Sequence, residues 1–133
     1  MKLAFVDASC LVAIAFDEPG AARLAGRLRR FDRLFSSNLL EAELRSALVR
    51  EGVDDQAEDL LSWITWVYPN RPLTAEFARI TAAGYRKGAD LWHLANALFL
   101  APDGKDLDFL TLDSRQKEVA ARLGFTSERS SAQ

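Results

Sequence analysis

Hydrophobic and polar positions along the chain fall into short blocks whose periods predict alternating strands and helices. Leu3-Ala4-Phe5-Val6 is a continuous apolar run that ends on an acid, Asp7. Such a run suits a strand buried on both faces of a parallel sheet. Ser9–Phe16 predicts a short buried helix, broken by Asp17-Glu18-Pro19-Gly20. Gly20–Arg30 predicts an amphipathic helix, with Ala21, Leu24, Ala25 and Leu28 on one face and Arg23, Arg27, Arg29 and Arg30 on its flanks. Arg33–Ser36 reads as a second strand, and Ser36-Ser37-Asn38 as N-cap candidates for a helix over Leu39–Arg50. A helix over Gln56–Ile64, a strand at Trp66-Val67-Tyr68 and a helix over Ala75–Arg86, capped by Thr74, come next. Asp90–Leu100 is apolar nearly all round and predicts a buried helix. Asp108–Asp113 predicts a strand ending in an acid, as the first does, followed by a helix over Ser114–Leu123 and a short last strand at Phe125-Thr126. About five strands interleaved with helices predict an α/β fold, a three-layer α/β/α arrangement around a short parallel sheet. No linker divides the chain, so residues 1–126 are expected to form one domain, with 127–133 a polar, disordered tail.

The acids stand out against this frame. Asp7 and Asp113 each follow a strand, and right-handed crossovers bring them to one carboxyl edge, where open α/β sheets bind ligands. The starts of the helices carrying Glu43 and Asp90 fall near that edge. Glu41 and Glu43 lie roughly 200° apart around their helix, so only one can face it. With Leu40, Leu44, Ala47 and Leu48 on the core face, Glu43 points partly inward and Glu41 lies beside Arg45 on the outer flank. An inward carboxylate needs a cation or donors; an ordinary salt bridge to an arginine is the plain alternative. Asp90 has its own plain alternative, capping its helix, and so does Asp113. His93 lies one turn beyond Asp90 on the same face and reads as a structural residue or as one that orients Asp90. Asp108 sits at the far end of its strand, roughly 16 Å away, and cannot reach the edge.

Four carboxylates converging at one edge repel one another unless something neutralises them. Hard oxygen donors with no cysteine or histidine set suit Mg²⁺ or Mn²⁺ rather than zinc. Such an ion activates water and stabilises charge on phosphate oxygens, the chemistry of phosphodiester hydrolysis.

Composition changes this picture little. The net charge of -2 supplies no basic field of the kind a simple DNA-binding module carries. It is compatible with a metal-dependent nuclease, whose cation offsets the acids. The single cysteine, Cys10, lies in an apolar run, which excludes an internal disulfide and a cysteine-based zinc site. The first apolar run is too short for a signal peptide, and no apolar stretch approaches the ~20 residues a membrane span needs. A cytoplasmic protein without a membrane partner is expected.

The motifs FVDAS with Asp7 and Ser9, SSNLLEAELRSAL with Glu43 and Leu44, DLWHLANAL with Asp90 and His93, and FLTLDSR with Thr111 and Asp113 occur in this order over nearly the whole chain. In this the sequence resembles PIN-domain ribonucleases, most closely the VapC-type toxins of bacterial toxin–antitoxin pairs. The resemblance implies metal-binding acids at Asp7, Glu43, Asp90 and Asp113, with Glu43 binding through water or acting as base. It implies Mg²⁺- or Mn²⁺-dependent endonucleolytic cleavage of RNA, often transfer RNA. It also implies a homodimer and a cognate antitoxin that sets a basic residue into the acidic site. Ala8 stands where the family more often has Thr, which removes a hydroxyl but no carboxylate; Ser9 remains to hold Asp7 or a metal-bound water. Thr111 and His93 are supporting residues in this reading. Arg86, Lys87 and Arg115 flank the motifs and are read as surface charges, with contact to substrate phosphate as the alternative. Trp63 and Trp66 are the spare apolar surface for a dimer.

Two other readings stay open. Asp7 at the end of a first strand is also the position of an aspartate nucleophile in phosphatases, though no second acid follows it closely and no lysine closely follows a candidate strand. A non-catalytic interaction module on the same fold is the other.

Overall fold

In a computed structural model of the chain, residues 1–126 are described, and the expected tail at 127–133 lies outside them. The order of elements is β1 (Leu3–Val6), α1 (Ala8–Ala15), α2 (Ala21–Arg29), β2 (Arg33–Ser37), α3 (Leu39–Arg50), a 3-10 turn at Asp54–Gln56, α4 (Ala57–Leu61), β3 (Ile64–Val67), α5 (Thr74–Ala83), α6 (Gly88–Leu100), β4 (Asp108–Leu110) and α7 (Ser114–Arg122). The four strands form one parallel sheet in the order β3-β2-β1-β4. Thr126 joins through a single bridge to Asp108, so the expected last strand is one residue pair rather than a full strand.

The central strand explains the layering. Phe5 lies between Phe35 of β2 and Phe109 of β4, and its ring stacks on that of Phe109 with centroids 5.5 Å apart. Ala4 and Val6 face the other way. Alternation along a strand sends successive side chains to opposite faces, and both faces are covered here. Ala4 and Val6 pack with Leu11, Leu28, Leu40, Leu44, Leu48 and Leu60 on the side of α1 to α4. Phe5 packs with Val67, Ile80, Leu94, Leu98, Phe109 and Val119 on the side of α5 to α7. Trp63 and Trp66 pack against the first of these cores, and the Arg29 guanidinium lies over the Trp63 ring. Both are partly buried, so less of their apolar surface is spare than the sequence suggested. No helix among the described residues is long and apolar enough to cross a membrane.

Several boundaries differ from expectation, and one shift matters for the site. The third strand begins at Ile64, because the preceding helix stops at Leu61. Helix α5 ends at Ala83, and residues 84–87 run without regular structure before α6 starts at Gly88. Gly84 fits because a Cβ there would lie 3.0 Å from Val119 Cγ2 and 3.3 Å from Arg122 Nη1. Arg86 therefore leaves the helical surface and enters the molecule from a loop.

Strand order reverses between β1 and β4: the chain moves from β1 outward to β2 and β3, then returns to place β4 on the other side. Crevices at such a reversal, outside the carboxyl ends of the strands, are where open α/β sheets place ligands. Asp7 and Asp113 stand there.

Candidate functional site

Asp7 directly follows β1, and its backbone N–H donates to Leu110 O at 3.2 Å, extending the β1–β4 ladder by one residue. Its side chain caps α1. Ser9 N donates to Asp7 Oδ1 at 3.1 Å, and Ser9 Oγ donates to the same oxygen at 2.5 Å. Ser9 Oγ accepts from Leu112 N at 3.0 Å and lies 3.4 Å from Thr111 Oγ1, which accepts from Asp113 N at 3.1 Å. Hydroxyls thus tie the end of β1 to the end of β4. Asp7 is buried, and that burial pushes its carboxyl above the ordinary value. The hydrogen bonds from Ser9 and Thr111, and the charge of His93, pull it partly back.

Asp113 is the N-cap of α7, accepting from Arg115 N at 2.8 Å and Gln116 N at 3.1 Å. Its carboxyl is held below the ordinary range, first by the Gln116 amide and then by the Arg86 charge. The capping role foreseen for it is real and does not remove it from the edge.

Asp90 and Glu43 have partners that the sequence did not name. Helix α6 begins at Gly88, so Asp90 lies inside its first turn and is not its cap. Asp90 Oδ2 accepts from Arg86 Nη2 at 2.8 Å. His93 does not orient Asp90; its Nε2 donates to Glu43 Oε1 at 2.7 Å. The imidazole is 1% exposed, and its Nδ1 lies 3.1 Å from Ser37 Oγ. The Ser37 hydroxyl at Nδ1 and the Glu43 carboxylate at Nε2 together fix the orientation of the ring. The serines expected to cap α3 are spent elsewhere: Ser36 Oγ donates to Val6 O at 2.6 Å, Ser37 serves His93, and Asn38 makes no side-chain cap. Glu41 lies on the outer flank as expected, paired with Arg45 at 2.7 Å.

Arg86 is not a surface charge. Its side chain is 9% exposed, and its Nη2 reaches both Asp90 and Asp113, the latter at 3.2 Å. Its Nε donates to Gln116 Oε1 at 2.8 Å. Lys87 and Arg115 are exposed, and Arg115 pairs with Glu118 at 3.2 Å. Gln116, the pairing of Ser37 with His93 and the buried seat of Arg86 went unforeseen in the sequence. The one available signal for Arg86 was its position between Gly84 and Gly88, which favours a loop over a helix end.

The donor set fits a hard divalent cation in kind. It is all oxygen, it stands at the strand reversal, and two of its carboxylates already share one cationic nitrogen. Among the described residues, however, no three of the acidic, histidine or cysteine side chains gather closely enough to hold an ion. Arg86 pairs with Asp90 and Asp113, and His93 pairs with Glu43. A cavity lined by Leu28, Arg29, Phe31, Asp32, Arg33, Leu34, Trp63 and Thr65 lies at the opposite end of the sheet and touches none of the four acids.

The family model of the PIN domain matches residues 4–122, and the chain belongs to that family. PIN domains are typically metal-dependent nucleases, which agrees with acids at the carboxyl edge of a four-stranded parallel sheet. No curated protein matches the chain.

Proposed function

We propose that this protein is a metal-dependent endoribonuclease, the toxin of a toxin–antitoxin pair. One observation supports the reading: Asp7 and Asp113 follow the paired parallel strands β1 and β4 at their carboxyl ends, and Arg86 Nη2 links Asp113 to Asp90. In this reading Asp7, Asp90 and Asp113 hold Mg²⁺ or Mn²⁺, and Glu43 binds through water or takes the proton of the attacking water. When bound, the ion supplies a water of lowered pKa and stabilises charge on the scissile phosphate.

The chain's own groups do the positioning. Ser9 fixes one oxygen of Asp7 and so aims the other. His93, held by Ser37, sets the rotamer of Glu43 by donating to its carboxylate. Lys87 and Arg115, exposed near the edge, meet the RNA backbone. The family resemblance supports a transfer RNA substrate, a homodimer and an inhibitory antitoxin partner.

The test is cleavage of a cellular RNA pool by antitoxin-free protein with Mg²⁺, Mn²⁺ or EDTA, beside Asp7→Asn. A discrete, metal-dependent cut that the variant loses is expected, and end mapping then identifies the target. Absence of any cut with either metal counts against the nuclease and favours an interaction module.

A further inference from the structure

Arg86 occupies a built seat. Gly84 lets the extended loop pass close to Val119, and Arg122 Nη1 donates to Ala83 O at 2.8 Å, closing the end of α5. Arg86 Nε is anchored on Gln116, which is fully buried and whose Nε2 donates to the Asp90 carbonyl at 3.0 Å. The remaining end of the guanidinium, Nη2, is the atom shared by Asp90 and Asp113. A guanidinium does not lose its proton. It therefore offsets one of the two negative charges these acids carry when ionised, and it does so through the oxygens a divalent ion needs. A guanidinium and a dication on the same oxygens repel each other, and the oxygens cannot serve both at full strength.

We propose that Arg86 is a tethered counter-cation: it holds Asp90 and Asp113 in the metal-free protein, and a divalent ion must displace its Nη2 to bind. Metal loading is then a competition within the chain. The Gln116 bond is no part of that competition and keeps the displaced guanidinium beside the site. The inference rests on the metal-site reading above, and it explains why the described acids pair with a cation of the chain instead of closing into a coordination shell.

The experiment measures Mn²⁺ binding to the full chain by titration calorimetry, and thermal melting by circular dichroism in EDTA and in Mn²⁺. The proteins are the unmodified chain, Arg86→Gln, Arg86→Lys and Asp7→Asn. Arg86→Gln is expected to bind Mn²⁺ roughly tenfold or more tightly than the unmodified chain, because the two acids are released from a competing charge. It is also expected to melt lower in EDTA and to gain more from Mn²⁺. Arg86→Lys keeps a point charge without the planar fork and should fall between; it is the variant to read if Arg86→Gln does not fold without metal. Equal or weaker Mn²⁺ binding by the variant that folds, while the unmodified chain binds and Asp7→Asn does not, overturns the competition and leaves the metal site standing. Failure of both the unmodified chain and Arg86→Gln to bind overturns the metal site and the competition together.

Discussion

Asp7 and Asp113 do the same local job in opposite surroundings. Each follows a strand of the same parallel pair, and each caps the helix after it by accepting backbone N–H groups. Yet burial raises the Asp7 carboxyl, whereas the Gln116 amide and the nearby Arg86 lower that of Asp113. Local geometry is shared, so solvation and the available charges set the difference. The two sides of the site divide accordingly. Asp7 and Glu43 are held by hydroxyls and an imidazole; Asp90 and Asp113 are held by an arginine. One side is a buried carboxyl held by hydroxyls, and the other is a pair of carboxylates that already share one cation. In the proposed reading, a cation entering the crevice gains most from the first and competes at the second.

Breaking the Asp7 side has the largest expected effect. Asp7→Asn is expected to lower metal-dependent cleavage by on the order of 10³-fold. The same variant should melt higher than the unmodified chain in EDTA at neutral pH, since it removes a buried charge. A carboxyl with a raised folded pKa costs nothing while protonated in both states, and its cost grows as pH rises from its unfolded value through its folded one. The stabilisation by Asn should therefore be present at pH 7 and absent at pH 3. A melting difference independent of pH would contradict the burial argument.

His93→Ala comes next. It leaves buried Ser37 and half-buried Glu43 without their shared partner, so stability should fall by about 1–3 kcal/mol. Cleavage should fall roughly 10–100-fold, the usual cost of losing a group that orients a ligand. Chemical denaturation and initial rates measure the two. Unchanged cleavage at reduced stability would make His93 a core residue only.

On the other side, Gln116→Ala unfastens Arg86 Nε and the Asp90 main-chain carbonyl while leaving both carboxylates in place. A loss of about 1 kcal/mol of stability is expected, read from the urea midpoint. Cleavage should change less than in His93→Ala, because no carboxylate of the proposed ligands loses its partner.

The smallest effect is the pH response of Asp113. A depressed folded pKa gives stability that is present above the unfolded value and lost as pH falls through the folded one. Its half-exposed side chain makes that loss slight. Asp113→Asn should flatten the acid limb of the stability curve a little, where Asp7→Asn steepens the comparison. Curves from pH 3 to 7 for both variants therefore test the contrast directly.

The pattern of apolar runs was enough to determine the layers. The four-residue run at β1 required a strand covered on both faces, and the apolar girth of α6 required burial; neither depends on distant residues. The acids at the ends of β1 and β4 followed from those strand ends and from the handedness of parallel crossovers. Glu43 rather than Glu41 followed from helical angle alone. What those acids touch was decided by tertiary structure. His93 lies one turn from Asp90 in sequence, yet it pairs with Glu43, because α3 and α6 approach through Ser37 at the end of β2. Arg86 looked like a charge at a helix end. Its seat exists only because α5 stops at Ala83 and α7 brings Gln116 alongside, thirty residues away. Periodicity reports which face of an element is buried; the partner waiting there belongs to another element, and only packing brings the two together.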